Sequence, residues 1–322
     1  MNARKEEKTV GRIVPSVLFV VIVFTVMMAL SLVSAVYAAS GVPHSTAGIE
    51  AASPCGTIPG GTIPVCPSAP TNVSTRELVG TGDNVLIGGF IINGSPVTVV
   101  VRAIGPSLAN ASPPVQGALQ DPQVRLFSGQ TVIAENDNWQ TGNCPVEAPN
   151  RAPTNIKEAC LVKMLAPGNY TAIVNGVGGT TGVGLVEVFY ASGDGLLTNI
   201  STRGNVQTGD KVLIGGFIIG VTDFLPSKVA VRAIGPSMAL PPFNVQGTLQ
   251  DPVLRLFSGQ TEIAQNDNWQ TGNCPTEAPN RNPTNTREAC LVITLNPGNY
   301  TAIVTGAGGT TGVGLVEVFL VR

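Results

Sequence analysis

Residues 85–104 read Val85-Leu-Ile-Gly-Gly-Phe-Ile-Ile92, then Asn-Gly-Ser-Pro, then Val97-Thr-Val-Val-Val-Arg-Ala-Ile104. Two runs dense in β-branched residues are broken by four turn formers, which predicts two strands and no helix. The pattern continues outward. Short runs rich in Val, Ile, Thr, Phe and Tyr, separated by Gly, Pro, Asn and Ser, place candidate strands at 84–92, 97–104, 123–127, 131–135, 160–165, 169–175 and 183–190. Seven strands at this spacing predict a two-sheet sandwich. No segment carries a capped 3.6-residue apolar period.

The same pattern then occurs again. Asn72-Val-Ser-Thr-Arg76 returns as Asn199-Ile-Ser-Thr-Arg203, and Val85 to Ile92 return as Val212 to Ile219. Val101-Arg-Ala-Ile-Gly-Pro-Ser107 returns at Val231 to Ser237, and Asn136-Asp-Asn-Trp139 at Asn266 to Trp269. The offset is 127 through Ile92 and 130 from Val101 on, so the second copy gained three residues near Phe224. Roughly three quarters of the aligned positions are identical. A period this long fits a whole domain and not a stacked solenoid unit. The expected fold is all-β, with two tandem β-sandwich (jelly-roll-like) domains at 72–192 and 198–322. The connection Ser192-Gly-Asp-Gly195 is short and predicts that the two lie close together.

Composition agrees. The chain has 322 residues with 38 Gly, 25 Pro, 12% charged and 5% aromatic residues. This excludes a coiled coil and a highly charged disordered chain. A formal charge of −2 gives no electrostatic case for a nucleic-acid partner.

The N-terminus sets the expected compartment. Arg4, Lys5, Lys8 and Arg12 precede an uncharged stretch from Ile13 to Ala39 that ends in small residues. Residues 1–39 therefore read as a secretory signal, with cleavage after Ala38, or as a retained membrane-anchor helix, because the apolar run is long enough to span a bilayer. Both readings export the remainder, and contact with a membrane is expected only through this segment. Residues 40–71, rich in Ser, Gly, Pro, Thr and Ala, read as a flexible linker.

The duplication selects among the cysteine pairings. Cys144 and Cys160 are 16 apart, as are Cys274 and Cys290. A domain copied whole should carry its own bridge, so Cys144–Cys160 and Cys274–Cys290 are expected, with Cys55–Cys66 inside the linker. Export makes oxidation available. A metal site is the rival reading, but it lacks CxxC spacing and a histidine partner.

The only histidine is His44, in the linker. Neither repeat can hold a Ser-His-Asp or Cys-His arrangement or a His-ligated metal. Carboxylate pairs remain available to a hydrolase: Asp83, Asp121, Asp137, Glu147, Glu158 and Glu187 recur as Asp210, Asp251, Asp267, Glu277, Glu288 and Glu317. Nothing in their spacing selects a pair. Asn136, Asp137 and Asn138, with Asp121, offer oxygen ligands of the kind calcium uses, as do Asn266, Asp267 and Asn268 with Asp251. The competing reading is a turn in which Asn and Asp bond their own backbone. Trp139 and Trp269 are either core plugs or ligand-stacking platforms. Gly176 to Gly184 lacks the Gly-Lys-Ser/Thr ending of a P-loop and reads as a hairpin loop. Arg102 and Arg232 lie in apolar strands, as do Glu187 and Glu317. Buried charge needs a partner, which predicts ion pairs Arg102–Glu187 and Arg232–Glu317. The alternative is a ligand-binding arginine.

Asp121-Pro-Gln-Val-Arg-Leu-Phe-Ser-Gly-Gln-Thr-Val-Ile-Ala-Glu-Asn-Asp-Asn-Trp139, then Ala166-Pro-Gly-Asn-Tyr-Thr-Ala-Ile-Val174 and Gly182-Val-Gly-Leu-Val-Glu-Val188, resembles bacterial pre-peptidase C-terminal-type domains. The likeness covers roughly the last two thirds of each repeat. It implies a non-catalytic β-sandwich module on an exported protein, and some relatives of that fold bind calcium or matrix polymers. The repeats are expected to act without an accompanying peptidase or other catalytic domain. The expected function is an exported structural or adhesion module, with no cofactor unless calcium binds. Its partner would be an extracellular polymer or another protein. The alternatives are a calcium-dependent carbohydrate- or matrix-binding protein and a carboxylate-based hydrolase.

Overall fold

The computed structural model describes residues 56–57, 64–65, 69–82, 84–209, 211–220 and 225–321. The signal or anchor segment, most of the linker, the Cys55–Cys66 pair, Asp83 and Asp210 lie outside the described residues. Among the described residues no helix is long and apolar enough to cross a membrane. Two dipeptide strands, β1 (Gly56–Thr57) and β2 (Pro64–Val65), form a small antiparallel ribbon.

The first repeat supplies eight strands. They are β3 (Pro70–Val79), β4 (Leu86–Asn93), β5 (Val97–Ile104), β6 (Pro122–Ser128), β7 (Thr131–Asn136), β8 (Ala159–Leu165), β9 (Gly168–Gly176) and β10 (Gly182–Gly193). The second supplies β11 (Leu196–Val206), β12 (Leu213–Ile219), β13 (Ser227–Ile234), β14 (Pro252–Ser258), β15 (Thr261–Asn266), β16 (Ala289–Leu295), β17 (Gly298–Gly306) and β18 (Gly312–Leu320). Within the first repeat the orders are β3-β10-β5-β8 and β4-β9-β6-β7. The second repeats them as β11-β18-β13-β16 and β12-β17-β14-β15. Two four-stranded antiparallel sheets connected in this way form a jelly roll built of two Greek keys.

The two jelly rolls do not stand apart. β3 pairs antiparallel with β12, and β11 pairs with β4. Each four-stranded sheet thereby joins one from the other repeat, giving two similar eight-stranded antiparallel sheets, each built half from one copy and half from the other. The pairings are equivalent in register: Arg76 opposes Ile214 and Arg203 opposes Ile87, each pair the image of the other under the 127-residue offset. The sequence reading of two sandwiches holds for each repeat, but the domain edges that reading left open are closed by sheet pairing. Pairing of this kind removes four unpaired strand edges.

One hydrophobic cluster runs between the sheets through both repeats, including Phe90, Val101, Val186, Phe217, Val231 and Val318. Phe90 stacks on Tyr170 at 5.5 Å and Phe217 on Tyr300 at 5.6 Å. Complete burial of a Phe or Leu side chain is worth about 1.5–3 kcal/mol. Several strands are buried on both faces, which explains why β4 and β5 read as continuous apolar runs without alternation. Their inner face meets the opposite sheet. Much of the outer face of β5 and its neighbours is covered by the long loop that carries the cysteines. Val100, Val162 and Phe189 pack there with Cys144, Cys160 and Trp139, and Ala230, Val292 and Phe319 pack likewise with Cys274, Cys290 and Trp269.

Candidate functional site

The outer face of each eight-stranded sheet carries a row of cross-strand neighbours. In one it runs Gly216–Ser74–Glu187–Arg102–Cys160, and in the other Gly89–Ser201–Glu317–Arg232–Cys290. A strand alternates its side chains between faces, so all five residues of a row project to the same side. Each row starts on the other repeat's strand and ends at a disulfide.

The charged pair at the centre is direct. Arg102 Nε lies 2.8 Å and Nη2 2.5 Å from Glu187 Oε2, and Nη1 donates to the Arg151 carbonyl at 2.6 Å. Arg232 repeats the arrangement, with Nε 2.9 Å from Glu317 Oε2 and Nη1 2.8 Å from the Arg281 carbonyl. The guanidinium of Arg102 stacks 4.9 Å from the Phe189 ring centroid and that of Arg151 at 4.2 Å; Arg232 and Arg281 do the same to Phe319. Burial, and then the neighbouring Arg232, lower the proton affinity of Arg281, while Glu317 partly offsets them. The pair in the first repeat is the drier: its side chains are 8% and 0% exposed, against 18% and 10% in the second.

The disulfides close the loops predicted for them, Cys144–Cys160 and Cys274–Cys290. A one-turn helix starts at each first cysteine, α1 (Cys144–Glu147) and α2 (Cys274–Glu277). Asn143, just before α1, docks this loop on β8. Its Oδ1 accepts from Val162 N at 2.9 Å and its Nδ2 donates to Val162 O at 2.8 Å, as a neighbouring strand would.

The calcium candidates are used locally. Asn136 Oδ1 accepts the Cys160 amide at 2.9 Å, and Nδ2 donates to the Asn138 carbonyl at 3.1 Å; Asn266 repeats both bonds. This is turn chemistry combined with a hold on the disulfide strand. Asp121 is bonded by Lys157 Nζ at 2.6 Å. Among the described residues no three of His, Cys, Asp and Glu gather as a metal-binding group. Trp139 and Trp269 are half-buried against the disulfide clusters, and their indole N–H groups donate to the carbonyls of Asn155 and Asn285 at 3.1 and 3.0 Å.

The sequence offered Glu158 and Glu288 only as acids. Both are fully buried, and each accepts hydrogen bonds from backbone amides. Glu158 Oε1 accepts from Gly105 N at 3.0 Å, Ser107 N at 2.8 Å and Ser107 Oγ at 2.5 Å, and Glu288 meets Gly235 and Ser237 in the same way. This clamp accounts for the Gly-Pro-Ser motif. The Cβ of any other residue at Gly105 would fall 2.1 Å from the Leu119 carbonyl oxygen. The motif's recurrence beside an invariant spacing to Glu-Ala-Cys was the available signal.

Above the second row lies a cavity of about 500 Å³. Ser201, Arg203, Arg232 and Glu317 line it from the sheet, Met238, Leu240 and Phe243 from the loop after the Gly-Pro-Ser turn, and Asn282 from the disulfide loop. Ser201 Oγ and Asn282 Oδ1 are buried without a hydrogen-bond partner, while Leu240 and Phe243 are 58% and 41% exposed.

No protein-family model matches the chain, and no curated protein matches it. Among solved structures it is similar to the major capsid protein P2 of bacteriophage PM2, at 6% identity over 77% of this chain and 98% of that one, with a TM-score of 0.19. It is also similar to PNGF-II, at 11% identity over 92% of this chain and 66% of that one, with a TM-score of 0.20. At such scores the architecture rests on the chain's own strand order, a duplicated β-sandwich whose two copies share both sheets.

Proposed function

We propose that the protein is an exported, non-catalytic structural or adhesion module that acts outside the cell or at its surface. The observation that supports this most is the use of its reactive groups. Arg102 and Glu187 hold each other, Glu158 holds a backbone turn, Asn136 holds the disulfide strand, and Trp139 seals the loop. The same assignments recur in the second repeat. A scaffold in which such groups brace one another is suited to holding a shape under stress. The basic-then-apolar N-terminus, the paired cysteines and the resemblance to pre-peptidase C-terminal-type modules support export. The two copies share most of their residues, and surface features present in both would raise avidity for a repetitive polymer. The calcium-dependent alternative is weakened by the local bonding of Asn136 and Asn266.

Protease treatment of intact cells that produce the tagged chain tests the location. Digestion without cell lysis is expected; protection until lysis would overturn it. A substrate turned over by the purified chain, and lost with Glu187→Gln or Glu317→Gln in a variant that still folds, would overturn the non-catalytic reading.

A further inference from the structure

We infer that the cavity over Ser201 and Glu317 is a binding site for a small amphipathic anion, an aryl carboxylate that also carries a hydrogen-bond donor. This goes beyond the scaffold reading and does not depend on it.

Four observations lead to that class of ligand. The volume, about 500 Å³, lies within the range of small-molecule sites. The lining residues include two guanidinium side chains, Arg203 and Arg232, and one carboxylate, Glu317, a composition that favours an anion. Ser201 and Asn282 each hold a buried polar atom that lacks a partner: a hydroxyl able to donate to a carboxylate, and a carbonyl oxygen that needs a donor. The remaining wall is apolar, and it includes two large side chains, Leu240 and Phe243, that stand exposed beside the opening.

Comparison of the copies shows what is particular to this cavity. The polar floor is common to both: Ser201, Arg203, Arg232 and Glu317 match Ser74, Arg76, Arg102 and Glu187. The wall is not. Leu240 stands where the first repeat has Asn110, Phe243 where it has Pro113, and Asn282 where it has Ala152. The second copy therefore adds apolar surface and a carbonyl acceptor above an unchanged charged base. Its ion pair is also the wetter of the two, as an accessible site requires.

The probe is 4-hydroxyphenylacetate, titrated into the full chain by calorimetry and followed by thermal melting. Its uncharged and cationic counterparts, 4-hydroxyphenethyl alcohol and tyramine, serve as charge controls. One molecule of the anion per chain is expected to bind and raise the melting temperature, with the alcohol about tenfold weaker and the amine weaker still. The triple exchange Leu240→Asn, Phe243→Ser and Asn282→Ala removes the apolar wall and the carbonyl acceptor, taking the first copy's residues at 240 and 282 and keeping the Phe243 amide that donates to the Leu240 carbonyl at 3.0 Å. It is expected to weaken anion binding by about tenfold or more while the unliganded melting temperature stays close to that of the parent. No binding of the anion, equal binding of the amine, or binding unchanged by the exchange would each overturn the inference. If the exchange unfolds the chain, Asn282→Ala alone supplies the same comparison.

Discussion

The hydroxyls of Thr75 and Thr202 meet at 2.7 Å between the two sheets, and the two residues are the same position of the two repeats. An approximate twofold axis passes between them. Equivalent residues of β3 and β11 are thus brought together at the centre of the molecule, where both threonines are fully buried. A buried hydroxyl left without its partner costs about 1–3 kcal/mol, whereas removing both partners for apolar groups of like shape can be nearly neutral. Thr75→Val is therefore expected to destabilise by about 1 kcal/mol or more. The Thr75→Val/Thr202→Val double variant should lose less than the sum of the singles. Urea unfolding midpoints of the four proteins in a mutant cycle measure this coupling. Strict additivity would mean that the contact contributes nothing.

Two residues along the same strands, the symmetry breaks. Glu77 lies over Gly204, its counterpart, so closely that a Cβ on Gly204 would fall 1.4 Å from Glu77 Oε2. The space between the sheets holds one side chain at this level and not two. Neither Glu77 oxygen has a hydrogen-bond partner, and burial pushes its pKa well above the ordinary value, with Arg203 opposing the shift only in part. The folded chain therefore keeps this proton to higher pH than the unfolded chain does. The unfolded chain binds fewer protons through that window, so stability declines as pH rises from about 4.3 toward the raised native value. Glu77→Gln should remove this decline, matching the parent near pH 4 and exceeding it near pH 7. Parallel melting curves for the two proteins across that range would disprove it. Gly204→Ala alone should destabilise strongly, and combination with Glu77→Gly should restore folding.

The fold was legible in the sequence where side chains obey the ordinary rule of apolar inside and polar outside. The seven strands expected in the first repeat all form, because β-branched runs bounded by turn residues have little other choice. The eighth, β3, was passed over. Its Asn72, Ser74, Thr75, Arg76 and Glu77 read as surface, yet all five are buried, because β3 lies mid-sheet with neighbours on both sides. β11 was missed for the same reason. The disulfides were legible because duplication constrains pairing more than spacing does. The amide clamp of Glu158 was not, since a carboxylate's role depends on which backbone N–H groups the fold brings to it. The sharing of sheets between copies also escaped, because a strand's own residues do not state which strand lies beside it.

The two ion pairs, identical in sequence, should differ in energy. Removal of Arg102 takes two hydrogen bonds from Glu187 Oε2 in a fully dry site, and breaking a buried pair costs up to about 3–5 kcal/mol. The second pair is more exposed and lines the cavity, which leaves it open to solvent. Arg102→Met should therefore lower stability markedly more than Arg232→Met, as read from denaturant midpoints. Equal losses would show that the cavity does not hydrate the second pair.

The disulfides staple loops that have few apolar residues of their own. Closing a loop of this length restricts the unfolded chain by about 3 kcal/mol at 25 °C. Cys144→Ser/Cys160→Ser should lower the melting temperature. Most of the hydrophobic cluster between the sheets lies apart from the bridge, so the far-ultraviolet β signal below the transition should persist. Loss of all sheet signal at low temperature would place the bridge in the nucleus of the fold instead of on its cover.

A single repeat cut from the chain should dimerise. Alone, residues 69–195 would present β3 and β4 as open edges on the two sheets, with the inner polar residues Thr75 and Glu77 turned toward water. In the whole chain β3 is closed by β12, the copy of β4, and β4 by β11, the copy of β3. The first repeat therefore carries both halves of the contact, and a second copy of it can satisfy both edges through one twofold axis. An interface of this kind is self-complementary and closes without propagating. Two Glu77 side chains would then compete for the space that Gly204 leaves open in the parent, so the dimer of the parent repeat should be weak and favoured at acidic pH. Glu77→Gly in the isolated repeat should tighten it. Light scattering across a concentration series, at acidic and neutral pH, reads both effects. A monomer that stays folded at all concentrations would show that the shared sheets follow from tethering alone.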